Sequence, residues 1–479
     1  MFKKILVANR GEIAVRVIRA IKSLGIETVA VYSTADKDAL HVQLANEAIC
    51  VGGPLARDSY LNMENILSAA LLTGCCAIHP GYGFLSENSK FARLIEKSGL
   101  TFIGPRSELI DMMGNKSEAR KTMQKLGVPV VPGSDGPIIS LEHGLEFADK
   151  IGYPVLIKAA AGGGGKGMRI AEDKDSFKKA YELATSEAKA SFGDEEVYLE
   201  KLIINPKHIE FQIIGDNHQN YVHLFERDCS IQRNHQKLIE EAPCRALRGD
   251  VRESMANHVI QAASAIGYNN AGTFEFIMDK EQNYYFIEMN TRIQVEHPVS
   301  EMITGIDIIK EQIRVAAGQV LSVKQEDIKI NGYSIECRIN AEDPFDNFKP
   351  SAGRVDNLMI PGGFGVRFDT ALYPGFVVPP FYDSMVAKLI VHGKNRLECI
   401  RKMRAALEEL VIDGISTNIE LHYYIFHHLR FVEGTFDTGF IEKFFLELKE
   451  NQKNFETFLK AKRDGKNEKN LQRTERNGK

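Results

Sequence analysis

The chain has 479 residues, 44% of them hydrophobic and 26% charged, with a formal net charge of −4 at neutral pH. One hydrophobic core serves about 250 to 300 residues, so several domains are expected, and so small a net charge gives no reason to expect a nucleic-acid or membrane partner. The seven cysteines, Cys50, Cys75, Cys76, Cys229, Cys244, Cys337 and Cys399, show neither metal-ligand spacing nor a disulfide framework, no apolar run approaches a membrane span, and the apolar start at Lys3–Ala8 is too short for a signal peptide, which points to a reducing cytoplasm.

Ile5–Ala8 and Thr28–Tyr32 read as buried parallel strands, with an amphipathic helix between them over Glu12–Leu24 that carries Ile13, Val17, Ile18 and Ile21. Strand, helix and strand make residues 1–113 an α/β amino-terminal domain of Rossmann-like type. Its first turn, Asn9-Arg10-Gly11-Glu12, lacks the Gly-x-Gly-x-x-Gly fingerprint, so a dinucleotide is not expected. A helical segment is predicted over Met112–Val131, a bridge (114–131) that opens on Gly114-Asn115-Lys116.

A lid (132–202) follows. In it a short apolar strand ends on Lys158, and four glycines run from Gly162 to Gly165 before Lys166. Such a run suits a backbone that moves or approaches a ligand closely, and glycine-rich loops hold phosphates through backbone N–H groups while lysines neutralise charge. The Gly-x4-Gly-Lys-Ser/Thr spacing of a Walker loop is missing, and a flexible loop without a ligand is the alternative.

The segment 203–325 carries the most informative pattern. Phe274–Met278 and Tyr284–Ile287 are predicted strands around the turn Asp279–Asn283, which lets Glu275 and Glu288 face each other across a hairpin. Like charges placed so are destabilising unless a cation sits between them; magnesium takes oxygen ligands, usually one or two carboxylates plus substrate phosphates, and the Asn290 amide oxygen is a third candidate. From Glu288 to Glu296 polar Glu288, Asn290, Arg292, Gln294 and Glu296 alternate with Met289, Ile293 and Val295. The plain reading is an edge strand with alternating ion-pair partners. An extended eight-residue step spans about 26 Å, too far for five groups to share one small ligand, so the chain is expected to bend near Thr291, with phosphate and metal on one side and a second substrate on the other.

A carboxy-terminal α+β domain (332–446) opens with Ser334–Asn340. From Lys449 to Lys479 ten basic and five acidic residues give a net charge of +5 with few apolar residues, a composition expected to be disordered, with docking to an acidic partner as the weaker alternative.

The order Lys116, Lys158, glycine loop, Glu200-Lys201, Glu275 and Glu288-Met-Asn290 resembles the ATP-grasp fold. His79-Pro-Gly-Tyr-Gly-Phe-Leu-Ser-Glu-Asn88, Glu226-Arg-Asp-Cys-Ser-Ile-Gln-Arg-Asn-His-Gln-Lys237 and Glu288-Met-Asn-Thr-Arg-Ile-Gln-Val-Glu-His-Pro298 resemble, more narrowly, the biotin carboxylase family, from Met1 to about Leu446. Asn234 departs from the pattern, standing where a basic residue is expected.

The resemblance implies ATP, magnesium or manganese, bicarbonate and biotin as reaction components, with ATP activating bicarbonate as carboxyphosphate. It implies an ATP site of Lys116, Lys158, Gly164, Gly165, Glu200, Lys201, Leu202, Ile203, His208, Gln232, His235, Glu275 and Glu288, with the Glu200–Ile203 backbone reading adenine and Gly164 and Gly165 closing over the phosphates. Metal ligands are Glu275, Glu288 and Asn290. Bicarbonate falls to Lys237, Arg292, Gln294 and the Val295 N–H, with Glu296 as its base; phosphate released from carboxyphosphate is the alternative acceptor of the biotin proton. Arg338 stabilises the biotin enolate, and Tyr82 lies by the biotin ring. Local readings stand beside these: Arg338 as a strand arginine paired with Glu336 or Asp343, Tyr82 as a turn aromatic covering the core, and the histidines as hydrogen-bonded core residues. The chain holds no Ala-Met-Lys-Met biotinylation sequence and no transferase half, so a biotin carboxyl carrier protein and carboxyltransferase subunits are expected partners, with a homodimer implied. Acetyl-CoA carboxylase is the expected context, pyruvate or propionyl-CoA carboxylase the runner-up, and another ATP-grasp ligase or a non-catalytic nucleotide-binding regulator the remaining alternatives.

Overall fold

A computed structural model describes residues 1–134, 136–159, 168–192, 196–454 and 457. The amino-terminal region is a parallel five-stranded sheet in the order Glu47–Gly52, Glu27–Ser33, Lys4–Val7, Ala77–His79, Thr101–Phe102. Its central strand is buried on both faces, which is why Ile5, Leu6 and Val7 form an unbroken apolar run, and helix Gly11–Ser23 buries Ile13, Val17, Ile18 and Ile21 against it. Gly81 sits in a left-handed turn after the strand Ala77–His79, with φ +63°; a Cβ there would come within 3.0 Å of Asn9 Nδ2. That amide donates to the Pro80 and Tyr82 carbonyls, each at 2.7 Å, and so fixes the turn that carries Tyr82.

The predicted continuous helix over Met112–Val131 is two helices, Ser107–Gly114 and Lys116–Lys125. Asn115 breaks the run by capping the second helix, accepting from the Ser117 and Glu118 N–H groups at 3.1 Å. Gly127, at φ +78°, and Pro129 then carry the chain into extended backbone, where Val130 bridges to Phe286. Beyond it the small antiparallel sheet Met168–Ala171, Val155–Ala159, Val197–Lys201 packs against helices Leu141–Ile151 and Lys174–Phe192. The glycine loop, including Gly164 and Gly165, lies outside the described residues.

The site is built on an antiparallel eight-stranded sheet in the order Tyr284–Asn290, Asn270–Met278, Lys207–Gly215, Tyr221–Arg233, Gln236–Ala242, Tyr333–Asn340, Met385–Gly393, Val366–Thr370. Strands on either side of residue 325 therefore share one sheet. The expected hairpin forms with Glu275 opposite Glu288, and the strand ends at Asn290, so the chain turns at Thr291 as expected before helix His297–Thr304.

The disorder expected from Lys449 onward does not hold for the first residues of that segment, and beyond 454 all of it except residue 457 lies outside the described residues. Residues 440–454 are helical, because Leu448 is fully buried and Lys449 donates to the Phe345 carbonyl at 2.8 Å. Among the described residues no helix is long and apolar enough to cross a membrane.

Candidate active site

Three carboxylates stand side by side on successive strands: Glu288 opposite Glu275, Glu275 opposite Glu210, and Arg227 opposite Glu210 on the next strand. Carboxylates so aligned repel unless cations intervene. The fully buried Arg227 is one answer: its guanidinium donates to Glu210 Oε1 at 2.5 Å, Gln294 Oε1 at 2.6 Å and Gln212 Oε1 at 2.9 Å. Lys237 is the other, with Nζ 2.5 Å from Glu210 Oε2, 3.1 Å from Glu275 Oε1 and 2.6 Å from Glu296 Oε1.

The turn after Asn290 returns Gln294 and Glu296 to this cluster. Gln294 Nε2 donates to Glu275 Oε1 at 2.6 Å, and Glu296 Oε2 accepts from Arg338 at 2.9 Å. Arg338 Nε donates to Glu240 Oε1 at 2.6 Å, so its partners are Glu240 and Glu296 rather than the local candidates Glu336 and Asp343. Burial alone pushes the Glu296 carboxyl up, but Lys237, Arg338 and Arg227 outweigh it and hold the group well below the carboxylate range. Burial likewise opposes ionisation of Glu275, and Lys237 and His208, whose Nε2 lies 2.8 Å away, reverse it. The same acids drive the Lys237 ammonium well above its ordinary value against the effect of burial.

Two cavities meet at this cluster. One, of about 650 Å³, is lined by Lys116, His208, Gln232, His235, Glu275, Glu288, Asn290, Gln294 and Glu296; the other, of about 530 Å³, includes Glu12, Tyr82, Phe84 and Tyr382. Lys237, Arg292, Val295 and Arg338 line both. A ligand in one chamber therefore shares its wall with a ligand in the other.

Other sequence candidates sit less directly. Lys116 Nζ is 2.8 Å from Glu288 Oε2 at the outer end of the ladder. Lys158 bonds the Glu200 carboxylate on the lid sheet, and neither they nor Lys201, Leu202 and Ile203 line either cavity. The Lys201 and Leu202 N–H groups donate to the Pro132 and Pro154 carbonyls, at 2.7 and 3.0 Å. Asn290 turns its amide nitrogen to Glu275 Oε1 at 2.6 Å and its oxygen to Arg292 at 2.9 Å, so the expected third metal oxygen is engaged by a cation. The Arg292 guanidinium also donates to Glu87 Oε2 at 2.9 Å. Tyr82 donates to Glu12 and forms part of the wall of the second chamber.

Several groups at the site escaped the sequence reading. Arg227 and Glu87 lie inside the motifs that carried the resemblance but show no periodicity of their own. Lys388, fully buried and donating to the Val295 carbonyl at 2.8 Å, had a usable signal: a lysine in the apolar run Val386-Ala387-Lys388-Leu389-Ile390 must have a buried partner.

Family models match almost the whole length: biotin carboxylase, N-terminal domain, over residues 1–110; carbamoyl-phosphate synthase L chain, ATP binding domain, over 115–324; and biotin carboxylase C-terminal domain over 336–443. Biotin carboxylase 1 of Bacillus subtilis (strain 168) is 56% identical over 445 residues, covering 93% of this chain and 99% of the relative. The chain belongs to the biotin carboxylase family. Among solved structures, the biotin carboxylase subunit of a pyruvate carboxylase aligns with a TM-score of 0.86 at 55% identity, covering 94% of this chain and 99% of that one. The biotin carboxylase domain dimer of Hydrogenobacter thermophilus 2-oxoglutarate carboxylase, solved with MgADP, ADP and bicarbonate, aligns with a TM-score of 0.86 at 52% identity over the same shares. The first five strands of the eight-stranded sheet lie in the ATP binding domain match and the last three at or within the C-terminal domain match, and the two-chambered cluster is the candidate active site.

Proposed function

We propose that this chain carboxylates biotin carried on a separate carrier protein, using ATP and bicarbonate, as the first half-reaction of a cytoplasmic acetyl-CoA carboxylase. The observation that carries this reading is the placement of Glu296 between Lys237 and Arg338 at the junction of the two cavities. A nucleotide binder alone has no need of an ionised carboxylate clamped by two cations that both line a second chamber.

In this account the larger cavity takes ATP, with Lys116, His208, Gln232 and His235 around the nucleotide and Lys158, Gly164 and Gly165 contributed by the lid. Magnesium suits the all-oxygen carboxylates of Glu275 and Glu288, directly opposed across the hairpin; bound there, it neutralises phosphate charge. Bicarbonate sits at the junction. Arg292 and Lys237 supply a fork and a point charge, an anion taking over one acceptor place on Arg292 now held by Glu87 or Asn290; Gln294 and Val295 complete the pocket. Glu296 takes the bicarbonate proton, and an oxygen of the anion attacks the γ-phosphorus, releasing ADP and leaving carboxyphosphate. Carboxyphosphate splits to carbon dioxide and phosphate, the phosphate takes the ureido N–H proton, and the biotin nitrogen bonds to the carbon while Arg338 faces the oxygen that carries the enolate charge.

Partners in this reading are a biotin carboxyl carrier protein, carboxyltransferase subunits and a second copy of the chain. The likeness to enzymes of 2-oxo acid carboxylation gives a second reading, in which the final acceptor is pyruvate or 2-oxoglutarate. The test is to charge the native carrier with radiolabelled bicarbonate and ATP, then to offer acetyl-CoA, propionyl-CoA, pyruvate and 2-oxoglutarate with the native transferase. Label in malonyl-CoA supports the first reading, label in the dicarboxylic acid formed from pyruvate or the tricarboxylic acid formed from 2-oxoglutarate supports the second, and an unlabelled carrier overturns both.

A further inference from the structure

Directly behind Arg338 lies a second pair of acids that the proposed reaction does not use. Glu240 and Glu336 stand opposite each other on the adjacent antiparallel strands Gln236–Ala242 and Tyr333–Asn340, and both are fully buried. Glu240 spends Oε1 on Arg338 Nε, while its Oε2 and both oxygens of Glu336 have no hydrogen-bond partner among the described residues. An ionised carboxylate in that position is untenable unless a cation reaches it.

The groups facing the pair can be named from each side. Strand Gln236–Ala242 contributes Lys237, which is committed to Glu210, Glu275 and Glu296. Strand Met385–Gly393 contributes Lys388, whose Nζ donates to the Val295 carbonyl and lies 3.3 Å from Glu12. The N-cap of helix His297–Thr304 contributes Glu296, and the amino-terminal region Glu12 and Tyr82, bonded to each other. From helix Ile419–His427, His422 meets only the Arg338 carbonyl, at 2.8 Å. Among the described residues the cations near the pair already serve other acids, Lys388 at Glu12 and Arg338 at Glu240 and Glu296, so a second full negative charge is poorly compensated.

We propose that Glu240 and Glu336 carry a single proton between them, held on Glu336, and that the ionised Glu240 is the positioning residue that fixes Arg338 through Nε, beside the Glu296 contact at Nη2, and leaves Nη1 to the biotin oxygen. This rests on the biotin-carboxylation reading and adds a residue to it. Burial acts in the same direction: it raises the Glu336 carboxyl well above the ordinary range and, with the Glu296 charge added, brings Glu240 to about 7 in spite of Arg338, so the titration belongs to the pair. Loss of the shared proton on the alkaline side places a second negative charge behind Arg338 and weakens its pull on the enolate oxygen.

The experiment has two readouts. Infrared spectra over the pH range are expected to show a carboxylic-acid C=O band in the wild-type chain that is lost in Glu336→Gln; this requires no activity, so it stands or falls apart from the carboxylation reading. In steady-state carboxylation of free biotin, Glu240→Gln is expected to raise the biotin KM about tenfold with the ATP KM within about twofold. The rate of Glu336→Gln relative to its own maximum is expected to stay level at alkaline pH where that of the wild type declines. An unchanged infrared band in Glu336→Gln overturns the shared proton. A parallel rise of both KM values in Glu240→Gln is the signature of general structural damage and overturns the positioning role. If Glu240→Gln does not fold, the alkaline limb decides: identical profiles for wild type and Glu336→Gln overturn the proposal.

Discussion

Glu296 Oε2 lies 2.9 Å from the Arg338 guanidinium, while the other oxygen of the same carboxylate lies 2.6 Å from Lys237 Nζ. One acid thus touches the cation assigned to biotin and the cation assigned to bicarbonate. Held well below the carboxylate range by those two cations, Glu296 is ionised at neutral pH. Glu296→Gln, which keeps the shape and removes the base, is expected to lower kcat by about 10²- to 10⁴-fold while calorimetric ATP affinity stays within about twofold; an unchanged kcat contradicts the role of base.

Arg338→Ala separates the chambers. ATP binding is expected to survive and biotin carboxylation to fall by about 10²- to 10³-fold, the scale of losing one aimed donor. Steady-state kinetics paired with nucleotide titration checks this, and unchanged carboxylation refutes the assignment.

Arg227 reaches no substrate in this account, yet it is fully buried among Glu210, Gln212, Thr273, Gln294 and Ser300. Arg227→Met leaves Glu210 buried beside Glu275 with only Lys237 to share, so unfolding in urea is expected to be easier by about 3 to 5 kcal/mol.

How much of this was legible in the sequence follows from the range of each interaction. The hairpin that opposes Glu275 and Glu288 and the turn at Thr291 follow from alternation and chain reach, which are local. The helix break at Asn115 was hidden because a capping asparagine inside a helical run looks like an ordinary polar position until its side chain is seen bonding two N–H groups. Helix 440–454 outlasted its composition because a tertiary contact, Lys449 to the Phe345 carbonyl, spans 104 residues. Arg338 bridges Glu240 and Glu296, 98 and 42 residues away, and no local pattern encodes such a pair.

Asp228 gives a pH test of stability apart from the active site. Burial raises its carboxyl, but Lys207 at 2.9 Å and Ser230 reverse this and hold it below its ordinary 3.8. A depressed carboxyl stabilises the fold fully above its unfolded value and loses that contribution as pH falls through the folded one. Asp228→Asn is therefore expected to lower the urea midpoint near neutral pH and to approach the wild type below about pH 3.8. An equal deficit at both pH values contradicts the sign.

Removing divalent metal with a chelator is expected to abolish ATP cleavage, and Glu288→Gln to raise the magnesium concentration for half-maximal rate by about tenfold or more. A metal titration identical to the wild type excludes Glu288 as a ligand.

The most direct test of the account is the rate of ATP hydrolysis by the purified chain with magnesium and free biotin, measured with and without added bicarbonate in carbon-dioxide-free buffer. The two-chambered site predicts hydrolysis that rises with bicarbonate and releases one ADP per biotin carboxylated. Hydrolysis indifferent to bicarbonate contradicts it.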